Sequence, residues 1–503
     1  MLYKNPVILC DYSDPDVIRV GDVYYMVASS FNFMPGLPIL TSTNLVDWKL
    51  SNYACERIPF PWYDEPQNAK GIWAPSIRFH GGKFYIFVGM PDEGIFFTEA
   101  DDPLGKWSEL SCVWSGRGFE DPCPIWDTDE SGTERLYLVH GYVKSRIGFN
   151  SKLGLLELDL ETKKALGEDK IIFDGTKTQP TIEGPKFYKR NGFYYIFAPA
   201  GGVTEGWQTV LRSSRIDGGY EERIVLSQKN SMTNGPHQGA WVQTPEKNSA
   251  GVADWFVHFQ ERGVFGRIVH LEPMWWTDDG WCVIGNGGEP VGEFEMPFSK
   301  VSAPVFSSRE WYEFQFSANP KCGYAEVHGG TLCLAFVPDC GRTLWKMPNV
   351  LTKKIDSENF DFECSARIGD MKDGCRFGVV FMGDEYKALE FSRKDGRFIL
   401  SVVESQGAES GDDEREEKRV QAPVVVEEDA STADFKVSFR KSDERSGAVT
   451  IHCSLGGGFS VPEFSVEKAH WVGGRFGFYA SSSGESASVG SISVEKKKSV
   501  LDF

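Results

Sequence analysis

The chain has 503 residues, with 53 Lys and Arg against 72 Asp and Glu, for a formal net charge of −19. That balance excludes nucleic acid and anionic membranes as partners, since both are held by a positive field, and it suits a neutral ligand. The length exceeds one ordinary core and predicts two or three domains, while 15 Trp, 17 Tyr and 36 Phe among Gly- and Pro-punctuated extended runs predict an all-β chain.

The opening, MLYKNPVILCDYSDPD, has only a short apolar run before charges begin, which predicts neither a secretory signal nor a membrane span. Eleven cysteines, an odd number without CxxC pairs or zinc-like spacing, read as free thiols in a reducing cytoplasm. A secreted mature form is the alternative.

Five stretches then repeat one layout: a polar or aromatic residue, a short strand, a turn and an aromatic strand. Asp14 begins SDPDVIRVGDVYYMVASSF, turning at Gly-Asp. Trp73 begins WAPSIRFHGGKFYIFVGM, turning at Gly81-Gly82. Asp121 begins DPCPIWDTDESGTERLYLVHG, with a longer acidic turn. Glu183 heads TIEGPKFYKRNGFYYIFAPA, where Asn191-Gly192 is the strongest short hairpin signal because both residues accept positive φ. His237 begins HQGAWVQTPEKNSAGVADWFVHFQ. One or two further strands follow each hairpin. Five four-stranded units at a period of roughly 50–60 residues predict a β-propeller.

In a propeller the innermost strands line one axis, so Asp14, Trp73, Asp121, Glu183 and His237 are expected to ring one end of the channel. A single aspartate there could simply cap its tight X-Pro turn. Three carboxylates brought together are costly to desolvate, which points to a site.

The order NPV…SDPDVIR (5–19), GIWAPSIRFHGGKFYIF (71–87), EDPCPIW (120–126), IEGPKFYKRNGFYYIF (182–197), GPHQGAWVQT (235–244) and FGRIVHLEPMWW (265–276) resembles glycoside hydrolase family 43. That family comprises five-bladed propeller enzymes that include β-xylosidases and α-L-arabinofuranosidases. The resemblance implies an inverting hydrolase with Asp14 as general base, Asp121 as the aspartate that tunes the acid, and Glu183 as general acid. It also implies His237 as the axial histidine and Arg267 as a substrate-binding arginine. Asp11 and Asp16 are alternative bases, though Asp14 alone matches the family's position before proline. Inversion needs a base to activate water and an acid on the opposite sugar face. A negative Asp121 close to Glu183 would help the acid keep its proton by like-charge repulsion. Phe31 and Trp73 are candidate walls for a sugar, or else core aromatics. No cofactor is expected to be required. The resemblance implies a structural calcium ion near His237, where one imidazole would leave water to supply most ligands.

At GEPVGEFEMPFSKVSAPVFSS the blade layout stops, and the proline-rich run reads as a linker. Beyond it GTLCLAFV, FDFECSARIG, CRFGVVFMG, KALEFSR, FILSVVES, FKVSFRK, AVTIHCSL and RFGFYAS predict an antiparallel sandwich, similar to the concanavalin-like domain accompanying many family 43 xylosidases. The acidic stretch 404–419 reads as a solvated hairpin loop. Expected domains are a catalytic propeller over 1–297 and a β-sandwich over 298–503. The expected activity is exo-hydrolysis of β-1,4-linked xylose from the non-reducing end of xylo-oligosaccharides. Arabinofuranose release is the runner-up and a non-catalytic sugar-binding propeller comes third. The partner is then a small oligosaccharide, with assembly into a homo-oligomer left open.

Overall fold

A computed structural model describes residues 1–129, 131–298, 309–339, 342–405, 417–419, 424–426, 430–455, 457–483 and 490–497. Its first part is a five-bladed β-propeller in which each blade is an antiparallel meander of four strands contiguous in sequence. Blade one comprises Asp16–Val20, Val23–Val27, Gly36–Ser42 and Lys49–Cys55. Blade two comprises Trp73–His80, Lys83–Met90, Gly94–Ala100 and Ser111–Ser115. Blade three comprises Phe119–Thr128, Glu134–Tyr142, Lys152–Asp159 and Lys164–Asp174. Blade four comprises Lys186–Arg190, Phe193–Ala200, Trp207–Ser213 and Glu221–Ser227. Blade five comprises His237–Gln243, Asp254–Glu261, Arg267–Trp276 and Cys282–Ile284.

Turn chemistry sets the registers. Asn191 and Gly192 both take positive φ (48° and 78°), and Arg190 pairs Phe193 across them. Gly81 and Gly82 do the same between His80 and Lys83. Alternation then buries one set of side chains on each face, so Val27, Ile39, Ile77 and Ile86 pack in a shared core of blades one and two. The first strand of blade five returns against the first strand of blade one, closing the ring. Among the described residues no strand is shared across that seam. Instead Leu2–Lys4 pairs with Glu293–Glu295, and Asn5 bonds both backbone groups of Leu271, clipping the N-terminal segment to blade five.

The second part is a sandwich of a nine-stranded and a seven-stranded sheet, and all eight runs named from the sequence lie in its strands. Phe314, Phe362, Phe377, Phe435, Phe476 and Phe478 fill the space between the sheets. Of the acidic stretch, 417–419 is a short strand paired with Val403–Ser405, and 406–416 lie outside the described residues. The expected boundary at 297/298 adjoins 299–308, which are also outside them.

The two parts are knitted together. Met34 and Phe316 exchange both backbone hydrogen bonds, at 2.9 and 2.7 Å. Asn319 bonds the N–H and C=O of Ile58 through its side chain. Val264 and Phe265, from the hairpin of blade five, belong to the sandwich core. Burying each is worth about 1.5–3 kcal/mol, and the next strand of that blade begins two residues later with Arg267.

Candidate active site

The five blade heads meet at one end of the axis, but in two registers. Residues 14, 74, 121, 184 and 238 share a left-handed backbone, with φ of 58°, 33°, 56°, 55° and 37°. In four blades that residue precedes proline. Asp14 and Asp121 occupy this position themselves, whereas Trp73, Glu183 and His237 stand one place before it. The expected equivalence of all five is therefore off by one residue. The ladder slips there in blades two, three and five, between Trp73/Ser76, Glu120/Cys123 and His237/Gly239. Such bulges re-aim side chains and cluster at sites. Gly184 is required for a second reason: a Cβ on it would lie 2.6 Å from the side chain of Gln238.

Asp14 is 4% exposed. Its Oδ2 accepts the Ser29 hydroxyl at 2.5 Å, and its Oδ1 accepts Nη1 of Arg267 at 3.0 Å. Ser29 in turn accepts the N–H of Ala74, so blades one, two and five together orient one carboxyl. Glu183 is more open, with 30% of its side chain exposed, and its Oε1 lies 2.8 Å from Nε2 of the buried His237. Asp121 accepts the Gly184 N–H at 2.7 Å. Its carboxyl is pushed up to about 8, first by burial and then by the negative charges of Glu183 and Asp14. The three carboxyls are thus mutually within electrostatic reach.

The expectation for Asp121 is a negative charge that helps the acid keep its proton. Burial makes it compete for a proton itself. Its neighbour Glu120, buried and equivalent in register to Glu183, is raised well above the carboxylate range by burial and by Asp121, Glu183 and Asp14. The alternative bases are consumed structurally. Asp16 accepts the N–H of Ile77 and the guanidinium of Arg78. Asp11 accepts Arg267 N, Gly473 N and the Ser13 hydroxyl.

Phe31 and Trp73 meet edge to face at 6.3 Å. Next to Trp73 stands Trp471, a sandwich residue with no counterpart in the expectations. Its ring is 6.5 Å from Trp73, and the Arg267 guanidinium lies 5.3 Å over it. Asp11 secures its loop through Gly473, where a Cβ would strike the backbone of residues 264–266 within 3 Å. Only glycine permits that approach. Beyond Trp471 a cleft of about 440 Å³ runs between the two domains, lined by Asn32, Phe33, Val203, Glu261, His470 and Arg475 among others.

Profiles of known families match both parts. "Glycosyl hydrolases family 43" covers residues 3–282, and "Beta xylosidase C-terminal Concanavalin A-like domain" covers 306–491. The chain belongs to glycoside hydrolase family 43. It is 39% identical to a "Putative beta-xylosidase" of Xylanibacter ruminicola over 79% of this chain and 74% of that one. It is 30% identical to a "Non-reducing end alpha-L-arabinofuranosidase" of Bacteroides ovatus over 57% and 54%. Among solved structures, a Bacteroides ovatus xyloglucan-locus family 43 protein superposes with a TM-score of 0.78 at 21% identity, over 99% of this chain and 100% of that one. A xylan β-1,4-xylosidase of Bacillus halodurans superposes with a TM-score of 0.79 at 20% identity, over 98% and 100%.

Asp121 gives the family 43 site a pH signature. A carboxyl that is raised in the folded protein favours folding fully below its unfolded value, near 4, and loses that contribution as pH rises through about 8. Asp121→Asn keeps an acceptor for Gly184 N–H and removes the titration. Its melting temperature is expected to match wild type near pH 5 and to exceed it by a few degrees at pH 9, with activity reduced ~10²-fold or more. Calorimetry across that range, beside initial rates, checks both.

Proposed function

We propose that this family 43 hydrolase is an inverting exo-glycosidase that removes β-1,4-linked xylose from the non-reducing end of xylo-oligosaccharides. The reading rests on the contrast between two carboxyls on different blades. Asp14 is buried and held at both oxygens, as suits a base that must aim a water. Glu183 is the more exposed of the two, with Oε1 occupied by His237, so its other oxygen carries the proton for the departing sugar. Burial and the nearby charges of Glu183 and Asp14 favour the protonated form of Asp121. Arg267, between Asp14 and Trp471, supplies donors for sugar hydroxyls. Phe31, Trp73 and Trp471 offer ring faces to the C–H bonds of a pyranose, and the cleft has room for the leaving oligosaccharide.

The implied metal fits in one respect. His237 uses Nε2 on Glu183, and its Nδ1 is buried without a hydrogen-bond partner. That nitrogen would hold a hydrated calcium ion as a structural group on the axis. Calcium content that falls in His237→Ala checks this assignment. Cys10, Cys55, Cys123, Cys282, Cys364 and Cys453 are buried thiols, which suits a reducing compartment.

Arabinofuranosidase action is the second reading, favoured by the name of the Bacteroides ovatus relative. Xylobiose, an aryl β-xyloside and an aryl α-L-arabinofuranoside, followed by proton NMR from the first turnovers, separate the alternatives. The expected result is α-xylose as first product from both xylosides. β-Xylose first would make the reaction retaining, and arabinoside hydrolysis outrunning both xylosides would reverse the substrate assignment.

A further inference from the structure

We propose that His258, His270 and Glu272, buried on one face of blade five, form a binding site for a divalent transition-metal ion of the zinc type. His258 and His270 are directly paired on adjacent strands, and Glu272 follows two residues later on the same face. That face packs toward blade four, as the contact of neighbouring Phe256 with Phe197 shows. His237 lies on a different strand. A ligating atom of each of the three residues lies within 4.8 Å of the others.

The hydrogen bonds decide where the lone pairs point. His258 Nδ1 is 3.0 Å from the carbonyl of Phe259, which can only accept, so Nδ1 carries the hydrogen and Nε2 the lone pair. That lone pair faces Glu272 Oε1 at 3.5 Å. Gln260 donates its amide nitrogen to Met232 O and Asn234 Oδ1, which assigns its Oε1 to His270 Nε2 at 3.1 Å. His270 Nε2 is therefore the N–H, and Nδ1 holds a lone pair. Nδ1 is buried and has no partner, on a residue 3% exposed.

Two imidazole lone pairs and a carboxylate thus belong to one buried cluster, and each histidine is anchored through its other nitrogen by an oxygen. That is how proteins orient metal-bound histidines. Glu272 is held likewise, by Val291 N at 2.9 Å and by Asn5 Nδ2 at 3.4 Å.

Smaller occupants resolve less of this. A proton shared by His258 and Glu272 would span 3.5 Å, beyond a good hydrogen bond, and would leave His270 Nδ1 orphaned. A water brings two protons to three acceptors. A cation satisfies all three, and a His₂Glu set of mixed nitrogen and oxygen suits zinc better than calcium or magnesium. Ligands of a tetrahedral zinc stand roughly 3.4 Å apart, so modest ring rotation closes the site. Such an ion would tie the middle strands of blade five to Asn5 and Val291, at the seam where the ring closes without a shared strand.

The test uses the full chain equilibrated with zinc and dialysed. One equivalent of zinc per chain is expected by mass spectrometry, with a higher melting temperature than after chelation. Glu272→Gln and His270→Gln are expected to lose that equivalent, while His237→Ala retains it. Crystals of wild type with zinc, measured at the zinc edge, are expected to show an anomalous peak bonded to the three side chains, which decides the matter even if the variants fold poorly. A water or no density at that position, or zinc content equal in wild type and both variants, overturns the proposal.

Discussion

Glu183→Gln is expected to lower turnover of xylobiose by roughly 10³–10⁴-fold while sparing most activity on an aryl β-xyloside with an acidic phenol. The reason is the leaving group. A sugar alkoxide departs only if protonated, and Glu183 is a partly exposed carboxyl with a histidine on one oxygen. A phenolate of low basicity departs unaided. The glutamine keeps the contact to His237 Nε2 through its carbonyl and removes only the proton. Rates on a series of aryl xylosides of graded phenol pKa provide the check, with the variant's rate falling steeply as the phenol becomes more basic. An equal loss across the series would remove Glu183 from the role of acid.

Asp14→Asn is expected to depress xylobiose and aryl xyloside alike, by ~10³-fold or more, because every turnover needs an activated water whatever departs. The substitution also leaves Arg267 facing a neutral amide in a buried position. Removing one partner of such a pair typically costs about 3–5 kcal/mol, so a lower melting temperature should accompany the kinetic loss. Assays well below that temperature separate the two effects. Leaving-group dependence in Asp14→Asn, together with its absence in Glu183→Gln, would exchange the two assignments.

Much of this was legible in the chain because blade hairpins are local. Asn191-Gly192 and Gly81-Gly82 set their own registers, and the heads of the repeats bring Asp14, Asp121, Glu183 and His237 to one axis. Glu120 was legible too, had the repeats been aligned on the residue before proline, since that alignment puts it level with Glu183. What hid it was the bulge, a backbone irregularity that residue types do not announce. Ser29 and Trp471 were not legible in this way. Ser29 acts through a bond to the next blade, and Trp471 reaches the site from more than 450 residues beyond Asp14. Such contacts follow from tertiary docking and leave no spacing to read. Asp11 looked like a spare catalyst for the same reason, until its partners placed it under the loop that carries Trp471.

That loop has a consequence for how the site can change. Asp11 grips it from beneath through Gly473, yet the loop belongs to a domain that contributes none of the three carboxyls. Trp471 therefore reaches the carboxyl site from a different domain than the one that carries its chemistry. Because the Trp471 ring also lies against the guanidinium that holds Asp14, a change in this loop reaches the carboxyl site from outside the propeller, so the sandwich acts as a buttress of that site.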